Sequence, residues 1–341
     1  MKIDILGGPQ AGQAELFSLL TGMVLDTVLQ KPLEIQQGIC EVRDSRITRL
    51  KEMYNPQKTA YAKIEYSLLP ALASSGPAKT QVLNELKNAD EICFVTKDES
   101  AESDINQFIS ELVIADLMLA EKRLENLAKD QKKKYQETRE KEQALMEKIK
   151  VRLDSGKPLS LGDHNEEERK ALGLYQLYTL KPVFIVINSA EDKLKDNALL
   201  DLISDEYNLP AIRLSLDLER ELLSLPDDDR KAYMKEVGLL EAAIDKMNRL
   251  AYEGLGMISY FTVGEDEVRA WSTRKGSNAA EAGAVIHTDI SKGFVRAEMF
   301  KYKDLIELGT EAKVKESGKF HLKGRDYIVE DADILSFRFN V

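Results

Sequence analysis

A glycine-rich turn near the start of the chain has the residue types and spacing of a phosphate-binding loop. Residues 7–14 read GGPQAGQA and follow the frame G-x-x-x-x-G-K-[ST] directly after an apolar run. In a working loop the backbone N–H groups surround phosphate oxygens, the lysine reaches the β- and γ-phosphates, and the hydroxyl ligates Mg²⁺. Gly7 and Gly12 are present, but Gln13 and Ala14 stand at the lysine and hydroxyl positions. The turn therefore predicts a phosphate-loop backbone without its cation and metal ligand.

The side chains around this turn are also unfavourable for an anion. Gln13 can donate a hydrogen bond but carries no charge, and Ala14 has no atom that could ligate a metal. Glu15 places a carboxylate in the first turn of the following helix, where it satisfies the helix dipole and repels an anion. Taken alone, the segment is more often an ordinary strand–turn–helix connection than a phosphate loop.

The elements that must position this loop predict an α/β fold with a mainly parallel sheet. Five short apolar runs have strand character: Ile3–Leu6, Ile64–Leu69, Glu91–Thr96, Pro182–Asn188 and Ala211–Leu216. Helical patterns separate them, which indicates right-handed βαβ units. Ligands of such sheets bind at the loops that follow the carboxyl ends of the strands.

A long helical segment is predicted to interrupt this sheet domain over residues 103–173. Apolar residues recur every three or four positions up to Leu124, and charges dominate from there to Arg152. A helical hairpin fits this pattern best. A basic tract near its tip comprises Lys129, Lys132, Lys133 and Lys134. These lysines could contact RNA phosphates, although a solvated helix face is the commoner explanation for such a tract.

The last part of the chain has the pattern of a small mixed domain. Strand patterns at 258–263 and 268–273 precede a helical pattern at 279–286, and strand patterns return at 294–300 and 326–339. The sequence therefore predicts three domains: a sheet domain of residues 1–102 and 174–255, a helical insertion of 103–173, and a C-terminal domain of 256–341.

Composition excludes several functional classes. The content of 43% hydrophobic and 31% charged residues is that of a globular protein, and no apolar run is long enough for a membrane helix. A net charge of −11 argues against broad nucleic-acid binding through charge alone. Cys40 and Cys93 are predicted to be buried free thiols of a cytoplasmic protein, and the dispersed histidines predict no metal site.

The C-terminal motifs resemble the TGS domain of the YchF family. They comprise YFTVG at 260–264, EVRAWS at 267–272, AVIHTDISKGFVRAE at 284–298, KESGK at 315–319, GRDYIV at 324–329 and FRFNV at 337–341. Upstream, residues 179–182 (TLKP) and 188–191 (NSAE) resemble the base-recognition strand and loop of that family. The segment that begins at Asp116 resembles the start of its helical domain.

This resemblance implies a P-loop NTPase-like domain with a helical hairpin and a C-terminal β-grasp domain. The family is associated with ATP and GTP, reads the base through N-x-x-E, and is linked to ribosomes, translation and stress regulation. Gly7, Gly12, Asn188 and Glu191 match the nucleotide site of the family, whereas Gln13 and Ala14 do not.

Two more departures concern Mg²⁺ and the γ-phosphate. The D-x-x-G motif of the family falls on residues 68–71, LLPA, so its metal-approaching aspartate and phosphate-sensing glycine are absent. The threonine of the first switch loop has no counterpart near residues 31–38. The resemblance with these departures predicts a catalytically inactive adaptor that requires no cofactor and contacts the ribosome, its RNA or its proteins. The alternative is a nucleotide-regulated protein that binds ATP or GTP weakly without tightly held Mg²⁺, or a slow ATPase or GTPase. The oligomeric state is not predicted.

Overall fold

The computed structural model describes residues 1–72, 76–129, 136–162, 164–236 and 242–340. Helices and strands alternate through the first two thirds of the chain, as the spacing of apolar runs predicts. The elements of this part are β1 (Lys2–Gly7), α1 (Gln13–Thr21), α2 (Leu25–Leu29), β2 (Gln36–Val42), α3 (Ser45–Tyr54), β3 (Lys58–Ala60), β4 (Ala62–Leu68), α4 (Gly76–Asn88), β5 (Glu91–Lys97), α5 (Ala101–Lys129), α6 (Gln136–Asp154), α7 (Glu166–Leu172), β6 (Val183–Asn188), α8 (Ala198–Tyr207), β7 (Ala211–Leu214), α9 (Leu216–Ser224), α10 (Asp227–Glu236) and α11 (Ala243–Gly254).

Strands and short helices form the remaining third. They are β8 (Met257–Thr262), β9 (Glu267–Arg274), α12 (Ala279–Ile286), α13 (Thr288–Lys292), β10 (Phe294–Lys301), α14 (Tyr302–Leu308), α15 (Glu311–Glu316), β11 (His321–Lys323) and β12 (Asp333–Phe339). The predicted order of two strands, a helix and a further strand is confirmed. Strands also return where the pattern predicts them, as β10 and as β12, which occupies the second half of the predicted range 326–339.

The first sheet has the strand order β2-β4-β1-β5-β6-β7, and the neighbours from β4 to β7 are parallel. Its central strands β1, β5 and β6 carry runs of four to six consecutive buried residues. Such continuous burial is expected when helices cover both faces of a parallel sheet. The predicted α/β class with a mainly parallel sheet is therefore confirmed, and the loops after β1 and β6 lie at the same edge.

The helical insertion consists of α5 and α6, which run antiparallel. Arg123 on α5 pairs with Glu142 on α6 at 2.6 Å, and Glu121 pairs with Lys150 at 2.8 Å. An apolar core that includes Ala120 and Met146 fills the space between the helices. The predicted helical hairpin is confirmed. Lys129 is exposed at the end of α5, whereas the predicted contact residues Lys132, Lys133 and Lys134 lie outside the described residues.

One buried carboxylate anchors the insertion to the turn before β6. Asp116 on α5 is fully buried and accepts hydrogen bonds from the backbone N–H groups of Tyr178 and Thr179, both at 2.8 Å. The hydroxyl of Thr179 donates a third, at 2.7 Å. Burial raises the pKa of Asp116, and these three hydrogen bonds oppose that shift. The ionised form of Asp116 therefore depends on these three hydrogen bonds for its stabilisation.

Two more buried carboxyl groups, Asp4 and Glu91, lie on neighbouring strands of the first sheet. Asp4 on β1 is fully buried, and burial raises its pKa to about 6. Glu91 opens β5 beside Ile3 with 1% of its surface exposed. Burial, and then the nearby charge of Asp90, raises the pKa of Glu91 to about 8. The folded state therefore disfavours the ionised form of both carboxyl groups.

The second sheet has the order β11-β10-β12-β8-β9-β3, which draws its last strand from the early part of the chain. The described chain accordingly forms two compact units, one of residues 1–38 and 65–243 and another of 39–64 and 244–340. Residues of α3 and β3 belong to the second unit, where β3 pairs in parallel with β9. The division into three domains stays a prediction.

Candidate functional site

The turn after β1 is held in place by its own backbone. The N–H of Gly8 donates to the carbonyl of Val95 on β5 at 2.9 Å, and the N–H of Leu16 donates to Gly12 at 2.9 Å. Gly12 has φ 96°, a conformation that L side chains rarely adopt. Helix α1 therefore begins directly at Gln13, in the loop-to-helix arrangement that the spacing of Gly7 and Gly12 predicts.

Gln13 folds back over the start of this turn. A β-carbon at Gly7 would lie 2.9 Å from Oε1 of Gln13 and 3.0 Å from the carbonyl oxygen of Val95. The position of Gly7 thus has no room for a side chain. Gln13 offers an uncharged amide there, and Ala14 offers only a methyl group.

Asn188 connects the end of β6 to the glycine turn. Its Nδ2 donates to the carbonyl of Ala11 at 3.2 Å, and its Oδ1 accepts from the N–H of Leu216 at 3.3 Å. Gly12 lies against the same amide. Glu191 begins a short 3-10 turn after β6, and its side chain is exposed. Of the sequence-predicted residues, the structure thus joins Asn188 to the loop and places Glu191 at the surface.

A buried ion pair supports the segment after β6. Arg213 on β7 contacts Asp98 after β5, and it donates to the hydroxyl of Ser189 at 3.1 Å. Only 2% of the Arg213 side chain is exposed. The N–H of Ser189 donates to the carbonyl of Leu214 at 2.8 Å. These contacts therefore fix the ends of the adjacent strands β5, β6 and β7 relative to Asn188.

A cavity of about 290 Å³ adjoins the glycine turn. It is lined by Gly7, Gly8, Pro9, Gln10, Gln13, Ala71, Leu72, Phe94, Asp104, Gln107, Phe108 and Glu111. Asp104 lies against Gly8 and accepts hydrogen bonds from the hydroxyls of Thr96 and Ser100, both at 2.7 Å. Glu111 pairs with Lys79. The cavity thus presents amides, an aromatic floor and two carboxylates.

The sequence pattern does not single out Asp104 and Glu111, which line the cavity. Both lie on one face of α5 with Phe108, at spacings of four and three residues. A polar residue on the apolar stripe of a helix was the available signal. That signal does not reveal which loop the stripe faces.

The donor atoms at the strand ends do not fit Mg²⁺. Leu68, which ends β4, and Leu69, which follows it, are buried apolar side chains, and the side chain of Ala14 has no oxygen. Among the described residues, no group of three or more histidine, cysteine, aspartate or glutamate side chains could hold a metal. The two cysteines, Cys40 and Cys93, are buried and free as predicted.

The second unit carries a basic cleft of about 520 Å³ that no sequence motif indicates. It is lined by Met257, Ser272, Thr273, Arg274, Lys275, Gly276, Ser277, Glu281 and Val285. Arg274 and Lys275 are exposed, and neither forms an ion pair with a described residue. Two unpaired cations beside hydroxyl groups suit the binding of phosphate oxygens.

Across the described ranges of the chain, no helix has the length and apolarity needed to cross a membrane.

The fold and site define an α/β class of protein with a glycine turn after its first strand, a helical insertion and a C-terminal β unit. The same architecture occurs in the solved structure of the Schizosaccharomyces pombe YchF GTPase. The two chains superpose with a TM-score of 0.86 at 27% identity, over 99% of this chain and 97% of the other.

Comparisons of sequence place the chain within a family. The family model YchF-GTPase_C, described as "Protein of unknown function (DUF933)", matches residues 257–340. The chain is 32% identical to the Ribosome-binding ATPase YchF of Bacillus subtilis over the whole of both chains. It is 29% identical to the Obg-like ATPase 1 of Oryza sativa over all of this chain and 92% of that one. The chain belongs to the YchF family.

Proposed function

We propose that this protein is a ribosome-associated nucleotide-binding protein that binds ATP or GTP weakly, without tightly held Mg²⁺, and hydrolyses it slowly or not at all. One observation carries the nucleotide part of this proposal: Asn188 joins the strand end that resembles a base reader to the carbonyl of Ala11 in the glycine turn. The turn therefore keeps the backbone geometry of a ligand loop although its side chains have changed.

Slow or absent hydrolysis follows from the chemistry of the side chains that remain. Phosphoryl transfer depends on cations that neutralise the charge developing on the transferred group. Gln13 supplies no charge at that point, and neither Ala14 nor Leu68 can hold a metal ion. Binding without turnover is the result that this arrangement supports.

A second candidate function is an adaptor that binds no nucleotide. The carboxylate of Asp104 lies against Gly8, and Glu15 lies in the first turn of α1, so two acidic groups are close to the turn. A triphosphate entering there would meet like charge, which favours this candidate.

Calorimetric titration separates the two candidates. Because the side chains of the turn carry no positive charge for the phosphates, the natural chain is expected to bind ATP or GTP with a dissociation constant of about 10⁻⁴ M, equivalent to about −5.5 kcal/mol. Omitting Mg²⁺ should change that constant by less than about threefold, because Ala14 and Leu68 stand at the positions expected to hold the ion. No heat up to millimolar nucleotide would leave only the adaptor, and tight binding that requires Mg²⁺ would contradict the proposal.

Association with the ribosome is proposed because relatives are named ribosome-binding. The basic cleft is the surface in the second unit that we assign to ribosomal RNA phosphates. Reversing both charges, Arg274→Glu with Lys275→Glu, is expected to weaken co-sedimentation with ribosomes at least about tenfold and to lower the salt dependence of log Kd by roughly two.

The matched control reverses two other exposed lysines of the same unit, Lys303 and Lys313, which do not line the cleft. Equal loss in both double variants would show a general charge effect and contradict the assignment of the cleft. Point changes are preferable to removing residues 258–341, because that deletion would take β9 away from β3.

A further inference from the structure

One apolar side chain occupies the space beside the amide of Asn188. Leu216 is the first residue of α9, and 5% of its surface is exposed. A β-carbon at Gly12 would lie 2.5 Å from Cδ1 of Leu216 and 2.8 Å from Nδ2 of Asn188. The leucine methyl group and the amide therefore rest side by side on the same glycine.

The hydrogen bonds of Asn188 reinforce this arrangement. Its Oδ1 accepts from the backbone N–H of Leu216, and its Nδ2 donates to Ala11. The side chain that could read a base is thus tied to the residue whose own side chain crowds it. The cavity beside the turn does not extend to this pair, since its lining includes Gln13 and Asp104 but neither Asn188 nor Leu216.

We infer that Leu216 is a specificity-determining residue whose side chain fills the space beside Asn188 and Gly12 and so restricts access of a nucleobase to the site. The inference rests on the proposed nucleotide binding and explains why that binding is weak. It concerns the base alone: a phosphate chain without a base would enter the cavity beside the turn, and Leu216 is not among the residues that line it.

Leu216→Ala tests the inference, with two probes that differ in the base. The variant is expected to bind ATP or GTP about tenfold more tightly than the natural chain, the lower end of the discrimination that a few methyl groups produce in an apolar pocket. Its affinity for inorganic tripolyphosphate, which has no base, should change by less than about twofold. Calorimetry measures all of these constants.

Leu222→Ala is the control, because Leu222 is a buried leucine of the same helix with 1% of its surface exposed. It should leave both affinities unchanged. Circular dichroism checks that each variant is folded. If the alanine at 216 prevents folding, Leu216→Val removes one carbon and should give about a threefold gain for nucleotide.

The outcomes separate the inference from the function on which it rests. Unchanged nucleotide affinity in a folded Leu216→Ala protein, or an equal gain for tripolyphosphate, overturns the inference alone. Binding by the variant but not by the natural chain supports the inference and overturns the proposed function. Binding of ATP or GTP by neither protein overturns both.

Discussion

Replacing Asp116 with alanine is expected to lower the free energy of unfolding by about 3–5 kcal/mol. The carboxylate is fully buried and accepts hydrogen bonds from two backbone N–H groups and from the hydroxyl of Thr179. Alanine would leave three buried donors without their acceptor. The cost of an unsatisfied buried donor exceeds the small net gain of an ordinary hydrogen bond, so this change should be among the most damaging in the first unit.

Chemical denaturation of the full chain measures the effect. Asp116→Asn keeps one carbonyl oxygen and should cost less than alanine, because only part of the acceptor capacity is lost. Glu125→Ala is the control on the same helix: Glu125 is exposed and 3.9 Å from Lys129, so its removal should change stability by less than about 0.5 kcal/mol. Equal losses for Asp116→Ala and Glu125→Ala would contradict the anchoring role.

Glu91→Gln is expected to stabilise the protein at high pH and to have little effect at low pH. Burial raises the pKa of Glu91 from the ordinary value of 4.5 to about 8. The folded chain therefore holds this proton more tightly than the unfolded chain, and the natural protein loses stability as the pH rises from about 4.5 to about 8. Glutamine cannot ionise, so the variant should avoid a loss on the order of 2–4 kcal/mol at pH 9.

Unfolding curves at pH 5 and pH 9 test this expectation. Asp4, whose pKa is raised to about 6, contributes a loss of the same sign at lower pH, but it is present in both proteins and cancels in the comparison. Glu102→Gln supplies the control, since Glu102 is exposed at the start of α5. A difference between Glu91→Gln and the natural chain that is the same at both pH values would show that the ionisation of Glu91 does not cause it.

Strands of the first sheet were predictable because their local signal is strong. The runs at Glu91–Thr96 and Pro182–Asn188 are almost continuously apolar, and the structure places β5 and β6 there with ends that differ by one residue. Strand β2 was missed. Its sequence, QQGICEV, alternates buried and exposed positions around a glycine. A short polar segment with a glycine is equally typical of a loop.

The sequence pattern does not predict which strands pair when they lie far apart along the chain. Three residues, Lys58 to Ala60, form β3 only because β9 accepts them as an edge partner. Nothing in so short a segment specifies a partner strand of the second unit. Periodicity reports which face of an element is buried, but the identity of the element that buries it depends on the whole chain.

The candidate site was likewise predictable in one part and not in another. The approach of Asn188 to the glycine turn follows from parallel topology, because strand ends in such a sheet share one edge. Asp104 and Leu216 reach that edge from the starts of α5 and α9, and their distances to the turn depend on how those helices pack. Sequence motifs located the loop, whereas the side chains that crowd it emerged only from tertiary packing.

The second unit has a consequence for the order in which a nascent chain can fold. Residues 39–64 emerge early during synthesis, but β9, the partner of β3, lies about 200 residues further along. At a synthesis rate of about 5–20 residues per second, β3 waits roughly 10–40 s for that partner. Helix α3, with buried residues Ile47 and Leu50, lacks the rest of its unit for the same interval. This unit therefore completes its fold only after its later strands, from β8 to β12, have been synthesised.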